Sequence, residues 1–435
     1  MTIDLDRLDE FEKRIAAAVG IRDDQMRHEL AEFVAIPTGF NHTPGLEALR
    51  ALLATRLETV GATLESMPGR PRPGWIKIRT GSDDPEAAAV TEDVPPMLVA
   101  RHAVDDGREA VRFMICGHLD TVHDPHGPFQ VLSDDVGGLA HGPGVMDMKG
   151  GLLVAITALE VLKELGRPLD WTVALVPDEE TGTYFSEQAL LEVAAGHDVG
   201  LVLEPALPDG SLVVERMGSG AFMIEAHGRA THVGRAFAEG RSAVLAIARA
   251  IIEISALADA DEGRIVNIGP MHGGQVTNAV AHHARCWGNV RYRDEATRQD
   301  LERSIREVVE DLNQQMGAES DDPPRLVAHT AFIRAAKPST PEVMALAEVA
   351  RKTSEDLGHP MPFAATGGVC DGNVIQQAGV PTIDTLGVRG GGMHRPDEHV
   401  QLESLVERAT LFAILLHRLD RDGFGGRSGS GRSIS

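Results

Sequence analysis

Five short segments of the sequence carry the histidine and carboxylate side chains that a hydrolytic metal site requires. They contain His118 with Asp120, Asp147, Glu179 with Glu180, Glu204, and His394. Oxygen and imidazole donors without thiolate suit Zn²⁺, and also Mn²⁺ or Co²⁺, in a site that keeps positions open for water and substrate. Each residue alone is more often a solvated loop carboxylate or a helix cap. The five segments together predict a metal-dependent hydrolytic centre, with two ions if one carboxylate bridges them.

Neighbouring acidic residues within this set are expected to have different roles. Glu179 and Glu180 follow an apolar run that is typical of a strand, and successive side chains of a strand point in opposite directions. One of them can therefore bind metal while the other stays free as a general base. Asp120 lies two residues after His118 and on the same side, so that it can orient the imidazole by a hydrogen bond.

Apolar runs precede most of these segments, as expected for buried strands. The runs lie at 113–117, 171–176, 199–203 and 382–387. Helical patterns separate them, and this alternation indicates an α/β fold with a mainly parallel sheet. Because ligands of such sheets bind outside the carboxyl ends of the strands, we expect the segments to face one crevice.

The middle of the chain indicates an inserted domain. Its predicted elements run strand, helix, strand, strand, helix, strand, which is the order of a ferredoxin-like α+β unit. We therefore predict a catalytic domain in two parts, 1–215 and 333–421, an inserted dimerisation or lid domain at 216–332, and a disordered tail at 422–435 that is rich in Gly, Ser and Arg. Outside the insert we predict helices at 5–35, 44–60, 341–357 and 402–419, a strand at 75–79, and a peripheral hairpin within 83–107.

Composition narrows the class of protein further. The 435 residues are 43% hydrophobic and 24% charged, as in a globular chain of two or three domains. The 41 Lys and Arg against 65 Asp and Glu give a net charge of −24, which argues against nucleic acid and anionic membranes as partners. No apolar stretch approaches the roughly 20 residues that span a bilayer, and the acidic beginning without an apolar leader predicts a cytoplasmic location. The three cysteines are far apart, and no glycine pair completes a nucleotide-binding motif.

Several motifs together resemble the M20 family of dizinc metallopeptidases, which includes glutamate carboxypeptidase, acetylornithine deacetylase and succinyl-diaminopimelate desuccinylase. The motifs are GHLDTV (117–122), GPGVMDMKGG (142–151), DEETGT (178–183), LEP (203–205) and GMHRPDE (392–398). The Glu-Pro pair at 204–205 and GGVCDGN (367–373) are most similar to the glutamate carboxypeptidase branch. The resemblance implies a dizinc exopeptidase-like catalytic domain with an inserted dimerisation domain.

The resemblance also implies a role for each site residue. His118, Asp147 and Glu204 would hold one ion, and Asp147, Glu180 and His394 the other, with Asp147 bridging, Glu179 as general base and Asp120 orienting a ligand. In the inserted domain, His232 would reach the active site of a partner subunit in a homodimer and stabilise the oxyanion. Asn278 and Arg291 would hold substrate, since an arginine offers a bidentate grip on a free carboxylate.

These assignments predict a hydrolase that cleaves an amide or peptide bond next to a free carboxylate, in the manner of a carboxypeptidase and possibly of the glutamate type. Glu179 would take a proton from a water activated by the metal, which is Zn²⁺ or else Co²⁺ or Mn²⁺. One alternative is a deacylase of N-acyl amino acids, of the acetylornithine deacetylase or desuccinylase type. Another is an inactive binding protein on the same fold, although no ligand or base is missing from the sequence. Two positions depart from the family pattern: Ala281 replaces a usual proline, and Cys370 a usual small or hydroxyl residue.

Overall fold

The computed structural model describes residues 7–39, 42–76, 94–104, 110–133 and 136–425. The helices in these ranges are α1 (Glu10–Gly20), α2 (Asp23–Val34), α3 (Thr43–Thr59), α4 (Gly150–Glu164), α5 (Glu187–Ala194), α6 (Val233–Ala236), α7 (Ala243–Ser255), α8 (Glu295–Glu319), α9 (Pro341–Asp356), α10 (Asp371–Gln377) and α11 (Glu403–Asp422). The strands are β1 (Thr63–Met67), β2 (Met97–His102), β3 (Arg112–His118), β4 (Leu139–His141), β5 (Asp170–Val176), β6 (Val199–Val202), β7 (Leu212–Arg216), β8 (Gly218–His227), β9 (Arg264–Gly273), β10 (His283–Tyr292), β11 (Arg325–Arg334), β12 (Phe363–Thr366), β13 (Thr382–Ile383), β14 (Gly390–Gly391) and β15 (His399–Gln401).

A six-stranded sheet in the order β1-β2-β5-β3-β6-β13 forms the centre of the molecule. The strands from β5 to β13 are parallel, and β1 and β2 are antiparallel to their neighbours. Residues of β3 alternate between two cores: Phe113 and Ile115 pack with α1–α4, α9 and α11, and Met114 and Cys116 pack with α5 and α10. Because both faces are covered by helices, the strands are continuous apolar runs. The predicted mixed α/β class with a mainly parallel sheet is confirmed.

One prediction about the edge of this sheet was wrong. The run Met97–His102, expected in a peripheral hairpin, is a strand between β1 and β5. Its first four residues are buried because both faces of the sheet are covered there. The rest of the 83–107 hairpin is outside the described residues at 83–93 and 105–107. Of the strand predicted at 75–79, only Trp75 and Ile76 are described, in and after a turn, and the tail is described only to residue 425.

A second, antiparallel sheet has the order β11-β8-β10-β9. Its elements follow the predicted order, with α7 between β8 and β9 and α8 between β10 and β11. Alternate residues of β8, such as Phe222 and Ile224, form a separate core with α7 and α8, while Glu225 and the other alternate residues face away from these helices. The sheet therefore has one covered face and one open face.

Two chain segments cross from the rest of the protein to the four-stranded sheet, and they lie side by side. Arg216 at the end of β7 and Lys337 after β11 each donate a backbone N–H to the other's carbonyl, both at 2.9 Å. Both side chains also reach the buried carboxylate of Asp384, at 2.7 Å from Arg216 Nη2 and 3.3 Å from Lys337 Nζ. One carboxylate thus ties the two crossings together. Among the helices within the described ranges, none is long and apolar enough to span a membrane.

Candidate metal and active site

The carboxyl ends of three parallel strands bring four of the predicted residues to one edge of the central sheet. His118 ends β3, Glu179 and Glu180 follow β5 by three and four residues, and Glu204 follows β6 by two. Since β3 lies between β5 and β6, the three strand ends are neighbours. This is the crevice that the sequence predicts for an open α/β sheet.

Asp147 and His394 reach the same place from two loops. Asp147 lies in a tight turn after Gly144, which has a positive φ of 70°. A side chain at Gly144 would place its Cβ only 2.5 Å from Thr121 Cγ2, so both the backbone conformation and the close approach exclude larger residues. His394 follows β14 and also has a left-handed backbone, with φ 63°. Both ligand side chains are therefore positioned by unusual backbone conformations.

The imidazoles and carboxylates form two groups of three that share Asp147. His118 Nε2 lies 3.0 Å from Asp147 Oδ1, and His394 Nε2 lies 3.1 Å from Asp147 Oδ2 and 3.3 Å from Glu180 Oε2. In each group, His118 with Asp147 and Glu204, and Asp147 with Glu180 and His394, one donor atom per residue lies within 4.8 Å of the others. The structure thus brings together all five residues that the sequence predicts as ligands.

The electrostatics of these groups fit divalent cations. The carboxylate atoms Glu180 Oε1 and Glu204 Oε1 are buried and have no hydrogen-bond partner among the described residues. Burial, and next the charge of Asp147, raise the pKa of Glu180 to about 8 and the pKa of Glu204 well above its ordinary value. Burial and mutual repulsion therefore disfavour the ionised carboxylates, and a bound cation would offset both effects. Oxygen and imidazole donors without thiolate are the donor set of a hydrolytic Zn²⁺ site.

Asp120 and Glu179 lie beside these groups. The Asp120 carboxylate accepts the backbone N–H of Glu179 at 3.1 Å and of Glu180 at 2.9 Å, and so fixes the turn after β5. His118 Nδ1 lies 2.9 Å from the Asp120 carbonyl oxygen and 3.4 Å from its carboxylate. The carbonyl is thus the closer acceptor for this ring nitrogen, which leaves Nε2 to face Asp147.

The three residues predicted in the inserted domain occupy two different places. His232 and Asn278 are exposed on adjacent loops at the end of the four-stranded sheet farther from the crossing segments, where the N–H of Val233 donates to the Asn278 carbonyl. Arg291 lies at the other end, opposite Ser219 of β8. Its Nη1 is buried without a hydrogen-bond partner among the described residues, and burial together with the nearby Arg334 lowers its pKa.

Two residues that position the site were missed in the sequence. The buried Glu398 carboxylate accepts the N–H groups of Gly144, Met146 and Asp147 at 2.9–3.0 Å and thereby holds the turn that carries Asp147. The buried Arg334 donates from Nη1 to Glu179 Oε1 at 2.8 Å and from Nη2 to the Glu179 carbonyl at 3.2 Å. Glu398 belongs to the GMHRPDE motif, but nothing in the sequence distinguishes its role from that of the preceding aspartate.

The two departures from the family pattern have simple local roles. Cys370 precedes α10 and caps it, since its Sγ accepts the N–H of Gly372 at 3.3 Å. The Cys370 sulfur thus replaces the usual hydroxyl acceptor of a helix cap. The Ala281 carbonyl accepts the N–H of Ala243 at 2.9 Å, next to the start of α7.

Comparison with known families decides the class of this site. Residues 114–418 match the family described as peptidase family M20/M25/M40, and this span includes all five clustered candidate ligands. The chain belongs to this family. It is therefore a hydrolase of the M20 metallopeptidase and amidohydrolase class, whose members depend on metal.

The chain is also similar to relatives of known name and, in fold, to a solved structure. The chain is 26% identical over 318 residues to carboxypeptidase G2 of a Pseudomonas species, covering 71% of this chain and 74% of the relative. It is 28% identical over 360 residues to succinyl-diaminopimelate desuccinylase of Paracoccus denitrificans, covering 77% and 89%. The solved structure of aminopeptidase PepT from Bacillus cereus is similar in fold, with a TM-score of 0.67 at 22% identity over 91% of this chain and 98% of that one.

Proposed function

We propose that this M20 enzyme hydrolyses an amide or peptide bond next to a free carboxylate, with two divalent ions at the shared Asp147 groups. The observation that carries the proposal is the pair of three-residue groups with one common carboxylate, beside a glutamate that belongs to neither group. A carboxylate that bridges two ions needs one oxygen for each, and Asp147 directs Oδ1 to one group and Oδ2 to the other. We propose Zn²⁺ as the ion, because its donors in proteins include imidazole and carboxylate.

The protein's own residues supply the proton transfers. Metal ions bound by His118, Glu204, Glu180 and His394 with Asp147 would lower the pKa of a water and polarise the scissile carbonyl. Glu179 would act as the general base toward the attacking water and then as the general acid toward the leaving amine. Arg334 fixes the Glu179 carboxylate through its 2.8 Å contact, so the base does not swing away from the crevice.

A free carboxylate on the substrate is supported by Arg291. Its buried guanidinium nitrogen lacks an acceptor within the described residues, and an anionic group of the substrate would supply one. The names of the relatives, a carboxypeptidase and a desuccinylase, are consistent with carboxylate-bearing substrates. Carboxypeptidase action is therefore our first proposal, and deacylation of an N-acyl amino acid is the second.

We further propose a homodimer formed through the four-stranded sheet. β9 is an edge strand, and it exposes Ile265 and Met271, while α7 beside it exposes Leu245 and Ile252. An unpaired edge next to exposed apolar side chains is typical of a surface that a second chain covers. In such a dimer the exposed His232 loop lies free to enter the partner's crevice.

The proposed chemistry is tested by two glutamate variants. Glu179→Gln should keep metal content and lower kcat by about 10² to 10⁴-fold, the usual contribution of a general base. Glu180→Gln should instead weaken metal binding, measured by metal analysis after dialysis. A panel of N-acyl-glutamates, N-acetylornithine and dipeptides separates the first proposal from the second. Exchange of the two phenotypes would reverse the assignment of base and ligand.

The dimer is tested by its mass in solution. Ile252→Glu should shift the sedimentation mass toward that of one chain, because it places a charge in the apolar contact. Ile21→Glu is a matched control, since Ile21 is 85% exposed on a different part of the molecule. A wild-type protein that sediments as a single chain at micromolar concentration would contradict the proposal.

A further inference from the structure

A second cluster of imidazole and carboxylate side chains lies on the open face of the four-stranded sheet and shares no residue with the two crevice groups. It consists of Glu225 and His227 on β8 and His283 on β10, with His329 of β11 beside them. One donor atom from each of Glu225, His227 and His283 lies within 4.8 Å of the others. The two crevice groups are within the same limit.

The sheet itself positions these three residues. His227 and His283 are directly opposite each other in the antiparallel pair of β8 and β10, and their ring centroids are 5.5 Å apart. Glu225 precedes His227 by two residues and so lies on the same face. Because the register of paired strands fixes all three backbones, the ligands are arranged before any ion binds.

Three imidazole nitrogens surround the single carboxylate of Glu225. His283 Nε2 lies 2.8 Å from Oε1, and His227 Nε2 and His329 Nε2 lie 3.4 Å and 3.7 Å from Oε2. His329 Nε2 is buried and has no hydrogen-bond partner among the described residues. The crevice shows the same pattern, with two imidazoles directed at Asp147 at 3.0 and 3.1 Å.

Arg285 completes the surroundings of the carboxylate. Its Nε and Nη2 lie 2.9 Å and 2.8 Å from Glu225 Oε1, the oxygen that His283 also contacts, and Oε2 faces His227 and His329. If Glu225 served only as the partner of Arg285, the three imidazoles around its carboxylate would have no role there. Carboxylates that bind metal are commonly held by such an additional hydrogen bond.

We infer that Glu225, His227 and His283 bind a third metal ion of the Zn²⁺ class, separate from the two proposed for the crevice. Two imidazoles and one carboxylate are a donor set for Zn²⁺ with an open position, whereas Ca²⁺ and Mg²⁺ prefer oxygen donors alone. An ion can enter from solvent, because Glu225, His283 and His329 line an open cavity of about 820 Å³. The inference does not depend on the reaction that the crevice performs.

Zinc content tests this site without any activity assay. After dialysis at micromolar free Zn²⁺, elemental analysis should find one ion fewer per chain in the double variant His227→Ala and His283→Ala than in the wild type. His272→Ala is the matched control, since His272 lines the same cavity but is outside the three ligands, and it should retain the wild-type content. Equal zinc content in the wild type and the folded double variant would overturn the inference.

A second measurement covers the case in which the double variant does not fold. In protein whose crevice is silenced by His118→Ala and His394→Ala, calorimetric titration with ZnCl₂ should still detect one ion per chain. Adding Glu225→Gln should weaken that binding about 10 to 100-fold or more. Loss of a residue that only supports a metal ligand already costs about that much, and Glu225 is a proposed ligand itself. Absence of binding in the silenced protein, or unchanged affinity with Glu225→Gln, would show that the cluster is an ion-pair arrangement only.

Discussion

Replacing Glu398 by glutamine should loosen the turn that carries Asp147. In the native protein, Oε1 accepts the N–H groups of Met146 and Asp147, and Oε2 accepts that of Gly144 and contacts His123 Nε2 at 2.5 Å. The glutamine amide supplies one oxygen and one NH₂ group. Its least costly orientation keeps the oxygen toward Met146 and Asp147, so that the NH₂ group faces the Gly144 N–H.

The magnitude follows from these contacts. A buried N–H without an acceptor costs about 1–3 kcal/mol, and exchange of a charged for a neutral acceptor weakens the two remaining bonds by about 1 kcal/mol in total. Glu398→Gln should therefore lower the free energy of unfolding by about 2–4 kcal/mol. Because Asp147 is common to both ligand groups, Zn²⁺ affinity should also fall about 10 to 100-fold.

Two assays measure these effects separately. Urea unfolding of the metal-free protein gives the stability change, and competition with a chromophoric chelator gives the Zn²⁺ affinity. Asp397→Asn is the matched control, because its side chain is 55% exposed and its change should stay within about 0.5 kcal/mol. If Glu398→Gln had wild-type stability and wild-type Zn²⁺ affinity, the positioning role of Glu398 would be refuted.

Three further predictions concern metal, pH and the base. Dialysis against a chelator should abolish hydrolysis, and Zn²⁺, Co²⁺ or Mn²⁺ should restore it; full turnover by metal-free protein would reject the site. Burial raises the pKa of Glu187 to about 7 in the native state. Between the ordinary pKa of a glutamate and 7, the native state therefore keeps a proton that the unfolded state has lost. The free energy of unfolding should fall as pH rises through that range. Glu187→Gln should remove this pH dependence and raise the free energy of unfolding at pH 8 by about 1 kcal/mol, after allowance for partial exposure. The same pH dependence of the unfolding free energy in wild type and variant, measured by urea unfolding at several pH values, would contradict this prediction. Arg334→Met leaves Glu179 without its partner and should cost about 3–5 kcal/mol of stability together with most of kcat; wild-type unfolding and kinetics would be the opposing result.

The sequence was sufficient to predict the cluster of ligands because two local features determine it. Apolar runs identify the strands, and residues after the carboxyl ends of parallel strands share one edge of the sheet. His118, Glu180 and Glu204 follow from this rule alone. Asp147 and His394 lie in loops; both belong to the donor residues that the sequence singles out, and the apolar run at 382–387 leads to His394, but only the resemblance implied which group each would join.

Residues whose role depends on distant contacts could not be found in this way. Glu398 and Asp397 are adjacent acidic residues, yet one is buried against three backbone N–H groups and the other is exposed. Arg334 is an arginine at a strand end, and its contact with Glu179 spans 155 positions. The position of β2 inside the sheet likewise depends on pairing with β5, which no local pattern of residues reveals.

A rigid rotation of the four-stranded sheet about the paired segments at Arg216 and Lys337 would move different parts of the sheet by different distances. β8 begins two residues after Arg216 and ends at His227, so its far end lies 11 residues from the crossing, or about 36 Å at about 3.3 Å per residue. A rotation of about 10° would move that end by about 6 Å, but would move Arg334, three residues from the crossing, by only about 2 Å. In such a rotation His232, in the loop beyond β8, would move much farther than Arg334, and the contact between Arg334 and Glu179 would change little.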